Sequence, residues 1–270
     1  MNKRFEYLVG NSFRSDFKFI LVDDDFKEIP AHIIIIISAS VELKKMILGY
    51  PFSTENSTTN QMEVDGISSD AFMEILRYIY ADSSNIDEYN VYEILTKSNY
   101  FGIVGLEGLC IQFLTANLNT NNVCFMFSYF FSFIDYAHML EKCQTKIQSD
   151  GISAFKLDSF VDIPLQVLKK ILSFDIIRCA EKDLFELTLQ WAAHECSKQN
   201  IPSSVENKRK VLNGAEDLLR FSALTLGEFQ ECLEVDEEFF TPKEIAVIEK
   251  NIMSGTRTHA KRLFREYKGK

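Results

Sequence analysis

Six cysteines, four histidines and a dense acidic run are the residues of this 270-residue sequence able to hold a metal, form a thiolate or move a proton. Their spacing supports none of these roles. A zinc site gathers four Cys or His ligands, usually from paired short spacings. Cys110, Cys124, Cys143, Cys179, Cys196 and Cys232 contain no C-x-x-C pair. His194 and Cys196, two residues apart, face different sides of a helix and read as structural. The run Glu231, Glu234, Asp236, Glu237 and Glu238 lacks the glycine and ligand register of a calcium loop, so it reads as a solvated charged turn. Gly102, Gly105 and Gly108 are spaced unlike a dinucleotide-binding turn and read as helix ends and starts. His32, His138, His194 and His259 have no acidic partner at a recognisable spacing, and neither G-x-S-x-G nor a phosphate-binding G-x-x-x-x-G-K occurs. The expectation is a chain with no catalytic residues, no metal and no cofactor, which acts through its surfaces.

Composition narrows what those surfaces meet. A net charge of −10 opposes the phosphate attraction on which nucleic-acid binding depends. Basic residues gather at Lys208-Arg209-Lys210 and in the tail Arg257, Lys261, Arg262, Arg265, Lys268 and Lys270. These read as a solvated helix start and a frayed end, with a localisation signal or an acidic contact as the alternative. The opening MNKRFEYLVGNSF has no apolar signal region, so a cytosolic or nuclear location is expected. In such a reducing compartment the cysteines read as small buried hydrophobes, and the triplet Asn56-Ser57-Thr58 is not a glycosylation site. The aromatic run at 123–134 (VCFMFSYFFSFI) falls well short of the roughly 20 residues that span a bilayer, and reads as a buried helix.

The elements that would carry these surfaces are mostly helical, as 11 glycines and 5 prolines suggest. Residues 17–22 and 27–31 flank Asp23-Asp24-Asp25 and predict a hairpin. The isoleucines Ile33 to Ile37 predict a buried strand on propensity alone. A long polar loop leads to a short strand at Met62–Val64. Phe72, Ile75, Leu76 and Ile79 then share a helical face behind Ser68, Ser69 and Asp70. Two further helices are marked by Val91, Ile94 and Leu95, and by Leu106 to Leu114. The polar segment 118–122 is the expected domain boundary, and everything after it reads as helix. Thr225 with Glu228 and Thr241 with Glu244 have capping-box spacing, the second ahead of Pro242.

From Asp16 onward the words SDFKFILV, IPAHIIIIISASVELKKMI, MEVDGISSDAFMEILRYIYAD and VYEILTKSNYFGIVGLEGLCIQFL resemble a BTB (POZ) domain in family order. Asp16, His32, Ser40, Met46, Phe72, Leu76, Tyr78, Tyr80 and Cys110 stand at its characteristic positions. Downstream, FKLDSFVDIPLQVLKKILSFDII, EKDLFELTLQWAAHECSKQNIP and NKRKVL resemble a BACK domain, most like the group that also carries a PHR domain. The resemblance implies four parts: a dimerisation segment at 1–15, an α/β BTB domain at 16–118, an all-α BACK domain at 119–252 and a basic tail at 253–270. It also turns residues 33–40 into a helix, against the strand propensity, because isoleucine costs a helix only a few tenths of a kcal/mol per residue.

Functionally, the resemblance implies an adaptor that pairs with itself or a related BTB protein, recruits cullin-3 and presents an unknown protein substrate for ubiquitination. Phe5, Leu8, Val9, Ile34 and Ile37 are the expected dimer contacts, although Phe5, Leu8 and Val9 have packing on the chain's own core as an alternative. Phe52, Glu55, Tyr80, Asp82, Phe125 and Tyr129 are the expected cullin contacts, and Asp16 and His32 the expected buried polar pair. Three positions depart from the family. Phe52-Ser53-Thr54-Glu55 is one residue longer than the usual hydrophobic-x-Glu word, Ile33 replaces a usual Lys or Arg, and only 253–270 follows the BACK-like region, with no PHR or Kelch domain expected. The alternative is a self-association scaffold or competitor that does not bind cullin.

Overall fold

The computed structural model describes residues 3–49, 60–156 and 158–254. It divides into two compact units, Met1–Asn117 and Leu118–Lys270.

In the first unit, strands β1 (Phe17–Leu21) and β2 (Lys27–Ala31) pair antiparallel, and β3 (Gln61–Val64) pairs parallel to β1, giving the order β2-β1-β3. The turn between β1 and β2 puts Asp25 and Phe26 at positive φ, 49° and 55°. Phe17, Phe19 and Leu21 alternate inward along β1 and are buried.

The five isoleucines open helix α1 (Ile33–Ala39). The strand propensity is overruled by local chemistry: Asp16 Oδ1 accepts the N–H of Ile33 at 2.8 Å, supplying the cap that His32 does not, while Ile36 buries completely. Ser40 then ends α1 and starts α2 (Val41–Leu48), its Oγ accepting from Leu43 N at 3.0 Å and donating to the carbonyl of Phe101.

Helix α3 (Ser69–Ala81) is capped by Ser68 and buries Phe72, Ile75, Leu76 and Tyr80. Phe72 links the strands to the helices, its ring 4.9 Å from Phe19 and 6.4 Å from Phe101. Helices α4 (Val91–Tyr100) and α5 (Val104–Ala116) complete the unit. Gly102 links them at φ +67°, as a helix boundary should, but Gly105 and Gly108 lie inside α5 rather than at its ends. Gly105 makes room for a neighbour: a Cβ there would overlap the Tyr78 hydroxyl.

Among the described residues the second unit contains helices and no strand: α6 (Val123–Phe131), α7 (Ala137–Asp150), α8 (Ile152–Phe155), α9 (Asp158–Val161), α10 (Leu165–Leu172), α11 (Glu181–Lys198), α12 (Val205–Leu212), α13 (Leu226–Val235) and α14 (Pro242–Ser254), with short 3₁₀ turns between. The aromatic run forms α6, with Val123, Cys124, Met126, Phe127 and Phe130 buried. Trp191 of α11 is 1% exposed and donates its indole N–H to Ile163 O at 2.9 Å, tying α11 to the segment before α10. A second cluster surrounds Phe185, whose ring lies 5.3 to 5.4 Å from Phe221, Phe239 and Phe240. Each of these buried rings contributes about 1.5–3 kcal/mol by leaving water.

Both capping boxes form. Thr225 and Glu228 satisfy each other's backbone N–H groups at the start of α13, and Thr241 and Glu244 do so at the start of α14. The basic run on α12 is solvated at Lys210, which is exposed, but not at its first two residues. Lys208 pairs with Asp236 at 2.8 Å, and Arg209 grips both oxygens of Glu244 and the carbonyl of Phe239, its guanidinium 4.8 Å from the Phe239 ring centre. Sequence proximity conceals partners some 30 residues away that neutralise these two cations. Asp236 is accordingly a structural anion rather than part of a purely solvated acidic turn. The other basic run, from Arg257 onward, lies outside the described residues.

Candidate functional site

The chemistry-bearing residues are dispersed. Among the described residues no group of His, Cys, Asp or Glu is arranged to hold a metal, and all six cysteines are free and buried. Burial pushes the thiols of Cys110, Cys124, Cys143 and Cys232 up to about 12, so they are poor nucleophiles near neutral pH. His194 contacts Asp162 at 3.0 Å on the surface of the second unit. Among the described residues no helix is long and apolar enough to cross a membrane.

What the first unit offers is surface. Its amino-terminal 3₁₀ turn, Lys3–Leu8, packs on α3 and leaves Phe5 and Tyr7 46% and 65% exposed, and Phe13, after the turn, is 61% exposed. Ile34 is 71% exposed on α1, and Ile37 is half-buried in a groove of about 780 Å³ that also touches Val41, Tyr78, Asp82 and Val104. Leu8 does not belong to an exposed cluster. It is buried in its own unit, and Val9 is half-buried, because the short turn folds these side chains back onto the chain. The sequence reading omits Tyr7 and Phe13, for which two further aromatics in a polar segment are the available signal.

Beneath that surface lies a polar knot. His32 is buried at 8% exposure, its Nε2 2.9 Å from the carbonyl of Phe13 and its Nδ1 3.0 Å from the Tyr80 hydroxyl. Tyr80 Oη also accepts the backbone N–H of His32 at 2.9 Å. Burial pushes the Tyr80 phenol up to about 12, with the His32 hydrogen bond opposing and the nearby Asp16 charge adding. Two expectations are corrected here. Asp16 is exposed rather than buried, because its role is to cap α1 from the surface, where its charge stays hydrated. Tyr80 is 4% exposed and faces inward on His32, so it cannot lie on a contact surface in this conformation.

The remaining expected contacts divide by unit. Asp82 is exposed and ends α3 in a left-handed conformation, its N–H donating to Tyr78 O. In the second unit Phe125 is 50% exposed on α6, and Tyr129 is half-buried against Phe130 and Phe133, with ring centres 5.2 and 5.1 Å away. Phe52 and Glu55 lie outside the described residues.

The family model for the BTB/POZ domain matches residues 9–118. Those residues form a BTB/POZ domain. It is a protein-interaction domain, consistent with a unit whose reactive groups are buried and whose aromatic and aliphatic groups are displayed. BTB/POZ domain-containing protein 3 of Homo sapiens is 30% identical over 170 residues, 63% of this chain and 32% of that protein. BTB/POZ domain-containing protein 6 of Xenopus laevis is 26% identical over 230 residues, 85% of this chain and 42% of that protein. The chain thus spans less than half the length of these curated relatives. The solved BTB (Tramtrack and Bric a brac) domain of human gigaxonin is 26% identical, with a TM-score of 0.33, and covers 42% of this chain and 92% of that domain.

Proposed function

We propose that this protein is a dimeric adaptor of a cullin-3 ubiquitin ligase, recruiting or modulating substrate, with the BTB/POZ domain as the assembly module and the helical second unit as a BACK domain. The observation that carries this reading is the reach of the similarity. The alignment with BTB/POZ domain-containing protein 6 covers 230 residues, and the BTB/POZ match ends at residue 118, so the shared sequence continues far into the helical unit. A chain built of an interaction domain joined to a helical bundle, with its thiols buried, acts by holding partners. The exposed Phe5, Tyr7, Phe13 and Ile34 support self-association, and Asp82, Phe125 and Tyr129 are the available cullin contacts. The free buried cysteines support a cytosolic or nuclear location.

The test is calorimetry of the purified chain against the amino-terminal domain of cullin-3. Micromolar or tighter association is expected. Absence of heat with both proteins at about 100 μM would leave the self-association scaffold, without cullin, as the function.

A further inference from the structure

Among the described residues every other helix of the second unit buries at least one side chain, and α11 buries nine, but no residue of α14 is buried. Its inner stripe, Ile245, Ile248 and Ile252 at i, i+3 and i+7, is only half-buried, and Val247 and Met253 are 57% and 75% exposed. A groove of about 390 Å³ runs between Lys243, Val247, Ile248 and Asn251 on the helix and a floor of Leu219, Phe221, Phe239 and Phe240. Dispersion and apolar burial both need close contact, so a helix that stands off its floor is weakly held by it. A helix of 13 residues also has little stability of its own in water.

The strongest attachment of α14 is polar and sits at one end. Arg209 of α12 donates to both carboxylate oxygens of Glu244, at 2.9 and 2.8 Å. The same guanidinium donates twice to the Phe239 carbonyl and lies 4.8 Å from that ring's centre, so Arg209 is built into the floor. Glu244 is built into the helix, because it closes the capping box with Thr241. The paired Arg209–Glu244 bonds thus join two separately assembled pieces. Arg209 holds the Glu244 carboxyl below its ordinary range, as an attractive pairing should. The two side chains are nevertheless 30% and 40% exposed, where salt screens such a pair.

We infer that α14 is a strap that undocks as a unit while the other helices stay folded, with the Arg209–Glu244 pair as its latch, and that undocking bares the floor of Leu219, Phe221 and Phe240. The strap masks an aromatic surface in the helical unit and so controls access to it. This goes beyond the adaptor reading and does not depend on cullin binding, which calorimetry against cullin-3 measures separately.

Native-state hydrogen exchange of the full chain, read by mass spectrometry, tests the strap. Amides at 246–254 should exchange about 100-fold or more faster than those at 188–196 in α11, with rates nearly insensitive to low urea, since the opening exposes little surface. Glu244→Gln keeps an oxygen for the Thr241 cap and loses the ionic pair, so α14 should exchange about tenfold faster and α11 at the parent rate. Raising sodium chloride from about 0.05 to about 0.5 M should speed α14 in the parent but not in the variant. The floor is read by Leu219→Cys, at a position 5% exposed, whose thiol should react with iodoacetamide about tenfold faster when Glu244→Gln is added. Exchange of α14 as slow as that of α11, equal α14 rates in parent and Glu244→Gln, or α11 quickening together with α14 would overturn the strap. An unchanged Leu219→Cys reaction rate would overturn the baring of the floor.

Discussion

The Tyr80 hydroxyl receives the backbone N–H of His32 at 2.9 Å and lies 3.0 Å from the Nδ1 of the same residue. Nε2 of His32 faces the carbonyl of Phe13, which only accepts, so Nε2 bears a proton, and in that tautomer Nδ1 takes the Tyr80 O–H. One phenol thus closes a donor and acceptor circuit joining α3, the end of β2 and the segment before β1.

That circuit predicts an alkaline weakness. The Tyr80 phenol ionises at about 12 in the folded chain against 10.0 for the free group, chiefly through burial. The folded state therefore keeps a proton that the unfolded chain has already lost. Its contribution is complete below pH 10 and disappears as pH climbs towards 12, an effect of about 2–3 kcal/mol. Cys110, Cys124, Cys143 and Cys232, also raised to about 12 but from 9.0, weaken the fold over a range that begins lower. Tyr80→Phe separates the contributions. Urea melts should show it about 1–3 kcal/mol less stable than the parent at pH 7, through the unpaired His32 groups, with a shallower fall between pH 10 and 12. Parallel pH profiles for the two proteins would show that Tyr80 is not the titrating group.

Asp16→Asn should cost less than about 1 kcal/mol in the same melts, because an amide oxygen can accept the Ile33 N–H as the carboxylate does and only a surface helix-dipole attraction is lost. Asp16→Ala should cost about 1–2 kcal/mol, since it leaves that N–H uncapped. A loss of several kcal/mol for the asparagine variant would mean that the charge itself is structural.

How far the fold is legible in the sequence depends on the range of the interactions involved. Helices with a 3.6-residue apolar stripe and a local cap, such as α3 behind Ser68 and α14 behind Thr241, are legible because every determinant sits within a few residues. The five isoleucines mislead because the cap that starts their helix comes from Asp16, across the β1–β2 hairpin. The family resemblance puts Tyr80 on a contact surface, whereas the side chain meets His32, 48 positions earlier, a partner that no local pattern indicates. Arg209 reads as solvated for the same reason, with Glu244 lying 35 positions downstream. In each case neighbours in sequence suggest one place for a side chain of ambiguous polarity, whereas one distant hydrogen bond sets another.

Self-association should depend on the exposed side chains of the first unit. Ile34 is 71% exposed on α1 and makes no contribution to its own core, so Ile34→Glu should leave the melting temperature of the isolated chain nearly unchanged. In light scattering at tens of micromolar the parent should run as a dimer and the variant as a monomer, because an unpaired buried carboxylate costs several kcal/mol at an interface. A parent that is monomeric under those conditions would count against the assembly role.

Two glycines that look alike in the sequence should answer oppositely to alanine. Gly108 sits inside α5 with open space around the position an added methyl would take, so Gly108→Ala should stabilise by about 0.5–1 kcal/mol through reduced freedom of the unfolded chain. Gly151 joins α7 to α8 at φ +56°, and a Cβ there would overlap the carbonyl group of Arg178. That carbonyl oxygen accepts the N–H of Ile152, and Arg178 N donates to Gln148 O, so the Arg178 backbone is held on both sides and cannot withdraw. Gly151→Ala must therefore break these bonds or part α7 from α8, at a cost of about 3 kcal/mol or more. Thermal melts of the two variants beside the parent decide it, and a Gly151→Ala chain as stable as the parent would show that the Arg178 backbone yields after all.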